Sequence, residues 1–209
     1  MTAADASSPP ESPGPEPSIY RIGENVPWVS PWSSEGSFSL ALSERFPDHL
    51  EVLQASAPGV GSPSLKGMHL LRQRMGVADH LCHVCGKPTT PGDRFLFPVV
   101  TGNFLAPSAD GQRRYASPMP PTHMACAQRA QRLCPHLKLS FAHPVRFPSD
   151  PGKLRFEEVP PRGMEAAAQG MPVDKAIFSY YRVHTPGFSR LVERLREKAA
   201  AEGHTVAPA

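Results

Sequence analysis

The residues with chemistry to offer are concentrated in the middle third of the chain, where all four cysteines lie: Cys82, Cys85, Cys126 and Cys134. In Cys82-His83-Val84-Cys85 two residues separate the thiols, a spacing that lets both sulfurs converge on one ion, and Gly86 permits the close turn that follows. Farther on, His123 and Cys126 stand at i and i+3 and share one side of a helix's first turn. Cys82, Cys85, His123 and Cys126 therefore form a Cys₃His set. Three soft thiolates and one imidazole closing a tetrahedron are the usual ligands of structural zinc, so Zn²⁺ is the expected cofactor. His80, His83 and Cys134 lie close enough in sequence to stand in for one of the four.

A redox Cys-x-x-Cys would sit at the start of a helix, and Gly86, Pro88 and Pro91 argue against a helix there. Cys134 follows a different pattern. With Ala127, Ala130 and Leu137 it forms a small-residue helical face suited to packing on the knuckle, which makes it a structural thiol. Pro135 ends that helix, because the residue before proline is pushed out of the α region.

The elements that must position these ligands follow from pattern. Between the two ligand pairs, Arg94–Val100 reads as an edge strand, with Asn103–Ser108 and Gln112–Tyr115 continuing a small antiparallel sheet around an Asp110-Gly111 turn. A knuckle, a hairpin and then a helix carrying the last two ligands is the arrangement of a treble-clef zinc finger. The expected fold class is accordingly α+β: a zinc-stabilised, treble-clef-like core with flanking helices and Pro-rich extended segments.

The stretches Cys82-His-Val-Cys-Gly86 and Pro120-Pro-Thr-His-Met-Ala-Cys-Ala127, ending in Cys134-Pro-His-Leu137, resemble a family of uncharacterised bacterial and phage-associated proteins. That family carries Cys-x-x-Cys-Gly, Pro-Pro-x-His-x-x-Cys-Ala and Cys-Pro-x-Leu in similar order. The likeness spans roughly residues 80–140 and implies a zinc-finger-like unit without an established activity.

Around this module the chain divides into four parts. Residues 1–18 hold five Pro, four Ser and no Lys or Arg, a composition unable to bury enough apolar surface to order itself, and are read as a disordered tail. Residues 19–64 are an extended segment pinned to the core by aromatics, among them both tryptophans, Trp28 and Trp32. Within it a strand is expected over Ser37–Leu42 and a short helix over Pro47–Ala55. Residues 65–145 form the zinc-binding module, entered through an amphipathic helix over Leu65–Met75 with positions 65, 68, 71 and 75 facing inward. Residues 146–209 supply a linker, a short helix over Val173–Val183 and a second helix opened by Thr185 as N-cap and Pro186 at its first position, with Phe188, Leu191, Val192 and Leu195 as its buried stripe.

The 26 prolines among 209 residues exclude a coiled coil or long-helix protein. No apolar run reaches the roughly 18 residues of a membrane span, and the basic-then-apolar layout of a secretory signal is missing, so a cytoplasmic protein without a membrane partner is expected. The net charge of +3 hides an asymmetry: residues 65–145 carry ten Lys or Arg against Asp79, Asp93 and Asp110.

Two function classes follow. One is a non-enzymatic interaction module that contacts a nucleic acid or a protein through a basic face, with Arg113, Arg114, Arg129 and Arg132 as phosphate contacts. The other is an enzyme whose active site lies away from a structural zinc and draws on scattered residues such as His143, Tyr180, Tyr181 and His184. The zinc-deaminase Glu, the phosphate-binding Gly loop, Gly-x-Ser-x-Gly and His-Glu-x-x-His are all missing.

Overall fold

A computed structural model describes residues 19–98, 104–139, 143–158 and 176–204. The tail expected over residues 1–18 and the ends of several expected elements lie outside these residues. The fold is mixed α and β. Its strands are β1 (Phe38–Leu42), β2 (Leu50–Gln54), β3 (Phe95–Leu96), β4 (Phe104–Pro107), β5 (Arg113–Ser117), β6 (Val145–Arg146), β7 (Lys153–Glu158) and β8 (Ala176–Val183). Its helices are α1 (Leu70–Asp79), α2 (Met124–Leu133), α3 (Pro135–Leu139) and α4 (Pro186–Ala201).

β8 is the organising strand. β7 pairs antiparallel along one of its edges, from Lys153↔Val183 to Glu158↔Ile177. The other edge is shared: β2 runs parallel at Ala176–Ile177, and β5 runs antiparallel at Arg182–Val183. β1 extends the sheet beyond β2, and β4 extends it beyond β5. β3 and β6 form a separate two-stranded ladder.

Between β2 and β5 the shared edge of β8 has no strand among the described residues, and α1 serves it with side chains. The Gln73 amide donates to Tyr180 O (2.6 Å) and Pro118 O (2.5 Å), and its oxygen accepts Tyr180 N–H (3.1 Å). Arg74 donates to Val52 O (2.7 Å) and Phe178 O (3.2 Å). Arg72 clasps the fully buried Glu35 at 2.6 and 2.9 Å, while that carboxylate also accepts Trp32 N–H and Ala57 N–H. At the far end, Arg182 donates to the Val77 and Ala78 carbonyls, two of the groups a helix C-terminus leaves without partners.

Several expectations change. The helix of Leu65–Met75 is Leu70–Asp79, and its inward face is Arg72, Gln73 and Arg74 beside Leu70 and Val77, while Leu65 and Met75 are exposed. The helix expected over Pro47–Ala55 is strand β2. Asp48 at φ +69° turns the chain, and the period-two positions Leu50 and Val52 face Phe38, Leu40, Leu70 and Ala176. The helix expected over Val173–Val183 is strand β8 across its described part, as its β-branched and aromatic run Ala-Ile-Phe-Ser-Tyr-Tyr-Arg-Val favours. β3 pairs with β6 rather than continuing into β4, whose hairpin with β5 joins the large sheet.

Other expectations hold. β1 falls at Phe38–Leu42, and the β4–β5 turn closes on Gly111 N–H to Ser108 O. Thr185 caps α4 by accepting Phe188 N–H, and Phe188 and Val192 pack on Leu96, Tyr115 and Phe147. Trp32 is buried, and Trp28 lies on the knuckle at Gly86. No helix among the described residues is long and apolar enough to cross a membrane.

Candidate metal centre

The knuckle begins where α1 ends. His80 takes the left-handed conformation at φ +56° and reverses the chain, and a bridge between Leu81 and Pro88 closes the loop that holds both cysteines. Inside it Gly86 N–H bonds Cys82 O (2.8 Å) and Cys82 N–H bonds Lys87 O (2.8 Å). Gly86 has φ +72°, and a Cβ there would meet the Trp28 ring at 2.7 Å, so both the backbone angle and the ring above it require glycine. Trp28 N–H and Val29 N–H bond Val84 O and His83 O, which seats the N-terminal segment directly on the loop.

The second ligand pair is brought in by a short path. His83 N–H bonds Pro121 O (2.7 Å), and Thr122 exchanges both backbone bonds with Phe95. His123 is then the N-cap of α2 and Cys126 falls in its first turn. His123 makes no side-chain cap bond. Instead Asp93 accepts Met124 N–H (2.8 Å), which relieves the imidazole of capping and places a carboxylate at the positive end of the helix.

The result is a cluster in which one ligand atom from each of Cys82, Cys85, His123 and Cys126 lies within 4.8 Å of the others. His123 Nδ1 is 3.5 Å from Cys85 Sγ and 4.0 Å from Cys126 Sγ. Tetrahedral zinc with ordinary bond lengths has S···N edges of about 3.6 Å and S···S edges of about 3.8 Å, so the set fits such an ion. His123 Nε2 lies 3.2 Å from Pro88 O, which fixes the proton on Nε2 and leaves the Nδ1 lone pair pointing at the sulfurs.

The electrostatics point the same way. Burial and the neighbouring thiols push Cys126 up to about 12, and burial likewise raises Cys85. Burial also opposes ionisation of Cys82, but the Thr122 hydroxyl and the backbone N–H groups of Cys85, His123 and Val84 outweigh it and bring this thiol down to about 7. One thiolate is thus favoured and the other two are disfavoured by burial and by proximity, a conflict that a divalent cation at the centre removes.

Cys134, His80 and His83 are not members of this cluster. All four cysteines are free thiols, and Cys134 is half-buried at the C-cap of α2. The four arginines expected to contact phosphate lie in two pairs, Arg113 and Arg114 on β5 and Arg129 and Arg132 on α2. Arg113 donates to Leu105 O, Arg114 pairs with Asp110 across the hairpin turn, Arg129 donates to Gly23 O, and Arg132 is exposed in the last turn of α2. Each of the scattered candidates for an active site has its own surroundings. Tyr180 bonds Glu51, Tyr181 packs on Ala106, Ala116 and Val183, His184 is enclosed by Tyr115, Phe147 and Phe188, and His143 is exposed. Pro88, Asp93, Thr122 and Trp28 support the centre from positions that no ligand spacing marks.

No family model, no curated protein and no solved structure matches the chain.

Proposed function

We propose that the protein is a non-enzymatic interaction module, organised around a structural zinc held by Cys82, Cys85, His123 and Cys126 in a treble-clef-like pairing of knuckle and helix. The observation that carries this reading is the closed Cys₃His cluster whose imidazole is anchored through Nε2 on Pro88 O. Four protein ligands leave no position for a reacting water, in contrast to catalytic zinc sites. The likeness to the bacterial and phage-associated family rests on the two motifs that supply these same residues.

The partner in this reading is a protein. Arg113 and Arg114 lie on β5 and Arg129 and Arg132 on α2, and three of the four also serve the fold by donating to Leu105 O, Asp110 and Gly23 O. A nucleic-acid partner is the alternative. It would show as affinity for a labelled duplex whose logarithm falls linearly with the logarithm of salt.

The test is metal analysis of protein purified without added zinc. One zinc per chain is expected, with loss of thermal stability on chelation, and with Cys→Ser at 82, 85 or 126 costing far more stability than at 134. A folded, metal-free protein overturns the reading.

A further inference from the structure

A trough crosses the outer side of the metal centre. It has two lobes, of 390 and 300 Å³, which share Pro27, Leu65, Val84, Ala130, Cys134 and His136. Its floor belongs to the centre itself: Val84 lies between two of the ligand cysteines, and Val84 and Ala130 pack with Cys82, Cys85 and Cys126 in one cluster. Each lobe falls in the size range of a specific binding cleft and is lined mainly by carbon.

Two features distinguish this trough from a pocket for a small molecule. Leu65 and Leu133 stand on its walls 63 % and 54 % exposed, so the apolar surface continues onto the rim, where only a larger partner would cover it. The rim is also polarised. Among the described residues Lys66 and Arg129 line the second lobe against one acid, Glu24, which is paired with Arg21 at 3.5 Å, and Arg129 keeps its charge while donating to Gly23 O.

We infer that the trough is the docking site of a linear segment of a protein partner, one with apolar anchors flanked by acidic residues, and that docking requires the metal. This deepens the interaction-module reading and rests on it. The anchors fill the two lobes while the flanking carboxylates face Lys66 and Arg129. The zinc dependence follows from the floor: Val84 and Ala130 hold their places only while the knuckle and α2 are clamped together.

The probe is a display library of random dodecapeptides, selected on the full zinc-loaded chain, with the enriched peptides then measured by fluorescence anisotropy. Apolar anchors flanked by Asp or Glu are expected. Leu133→Asp and Leu65→Asp should each weaken binding by about tenfold or more. Lys66→Glu should weaken it by a few-fold and flatten its salt dependence. Val60→Asp, equally exposed but off the trough, should change nothing, and a zinc chelator should abolish binding. Because Leu65 and Val60 both lie in exposed turns, the comparison between them does not depend on a variant that fails to fold.

Peptides that bind equally well to the Leu65 and Leu133 variants overturn the inference, as does a basic consensus. Self-association abolished by Leu133→Asp would assign the trough to a second copy, and competition by a synthetic peptide of residues 1–18 would assign it to the chain's own tail. Either result overturns the partner proposal. Zinc-loaded protein that selects nothing also overturns it and leaves the metal reading intact, whereas protein without zinc removes the reading beneath it.

Discussion

The helices α1 and α4 both pack on the large sheet, and they do so by opposite means. α4 follows its period: Phe188 and Val192 bury carbon against Tyr115, Leu96 and Phe147. α1 presents Arg72, Gln73 and Arg74 inward, and its adhesion depends on where Glu35, Tyr180 and Val52 place their oxygens. The contrast extends to the flanking histidines. His69, at the start of α1, bonds Ala55 O through Nε2 and accepts Arg72 N–H through Nδ1. His184, just before α4, is 2 % exposed with neither ring nitrogen bonded among the described residues, and it serves as one more aromatic ring among Tyr115, Phe147 and Phe188. Apolar contact tolerates replacement by other carbon of similar volume. The polar face of α1 tolerates almost none, because each lost partner leaves a buried group unpaired.

The largest test of this contrast is Arg72→Met. It leaves the Glu35 carboxylate buried without its counter-charge and should cost about 3–5 kcal/mol in urea unfolding. Adding Glu35→Gln to that variant should recover part of the loss, since the double change removes the stranded charge. A double variant no more stable than the single would show that Arg72 acts through packing rather than charge.

Next comes Gln73→Leu, which keeps the apolar volume and strips bonds from Tyr180 N–H, Tyr180 O and Pro118 O. Its expected cost is about 2–4 kcal/mol. Native-state hydrogen exchange should place the loosening at Tyr180 rather than along the β7 ladder. A cost below about 1 kcal/mol would mean that the gap in the sheet is served by something other than this amide.

The effect smallest at neutral pH is on the α4 side. Burial, reinforced by the Arg182 charge and opposed by Asp150, lowers His184 from 6.5 to about 3. Because the folded state holds this ring neutral, its contribution is complete above pH 6.5. It is lost as the pH falls from 6.5 toward 3, where the unfolded chain binds a proton that the folded chain refuses. The slope from one such group reaches about 1.4 kcal/mol per pH unit. His184→Phe should remove that increment from the stability–pH curve and leave stability at pH 8 nearly unchanged. Equal slopes in the two proteins would show that the imidazole has a bonding partner after all.

What was legible in the sequence divides along the same line. The Cys₃His set was readable because metal ligation depends on residue type and spacing, and α4 was readable because Thr185, Pro186 and its stripe are local signals. The inward face of α1 is not legible because it is polar, and nothing near Arg72 announces a Glu35 waiting 37 residues upstream. β2 and β8 are illegible for a related reason: runs this short stay ambiguous between helix and strand until a partner strand is known. The supports of the metal centre were hidden altogether. A proline carbonyl at Pro88, an aspartate cap at Asp93 and a tryptophan lid at Trp28 become meaningful only when distant segments meet.

The gap that Gln73 closes also dictates an order of events during synthesis. Leu50 pairs with Ala176, Ala116 with Val183, and Gln73 with Tyr180, so every strand that meets β8 directly on the shared edge waits for the last quarter of the chain. The four ligand positions, 82 to 126, leave the ribosome well before β8 does. A nascent chain at that stage can close its metal knuckle on α2 and pair Arg72 with Glu35 and Arg74 with Val52 O while Gln73 still waits for Tyr180. The sheet is then completed in one late event, by a strand that arrives to find its hydrogen-bonding partners already in place.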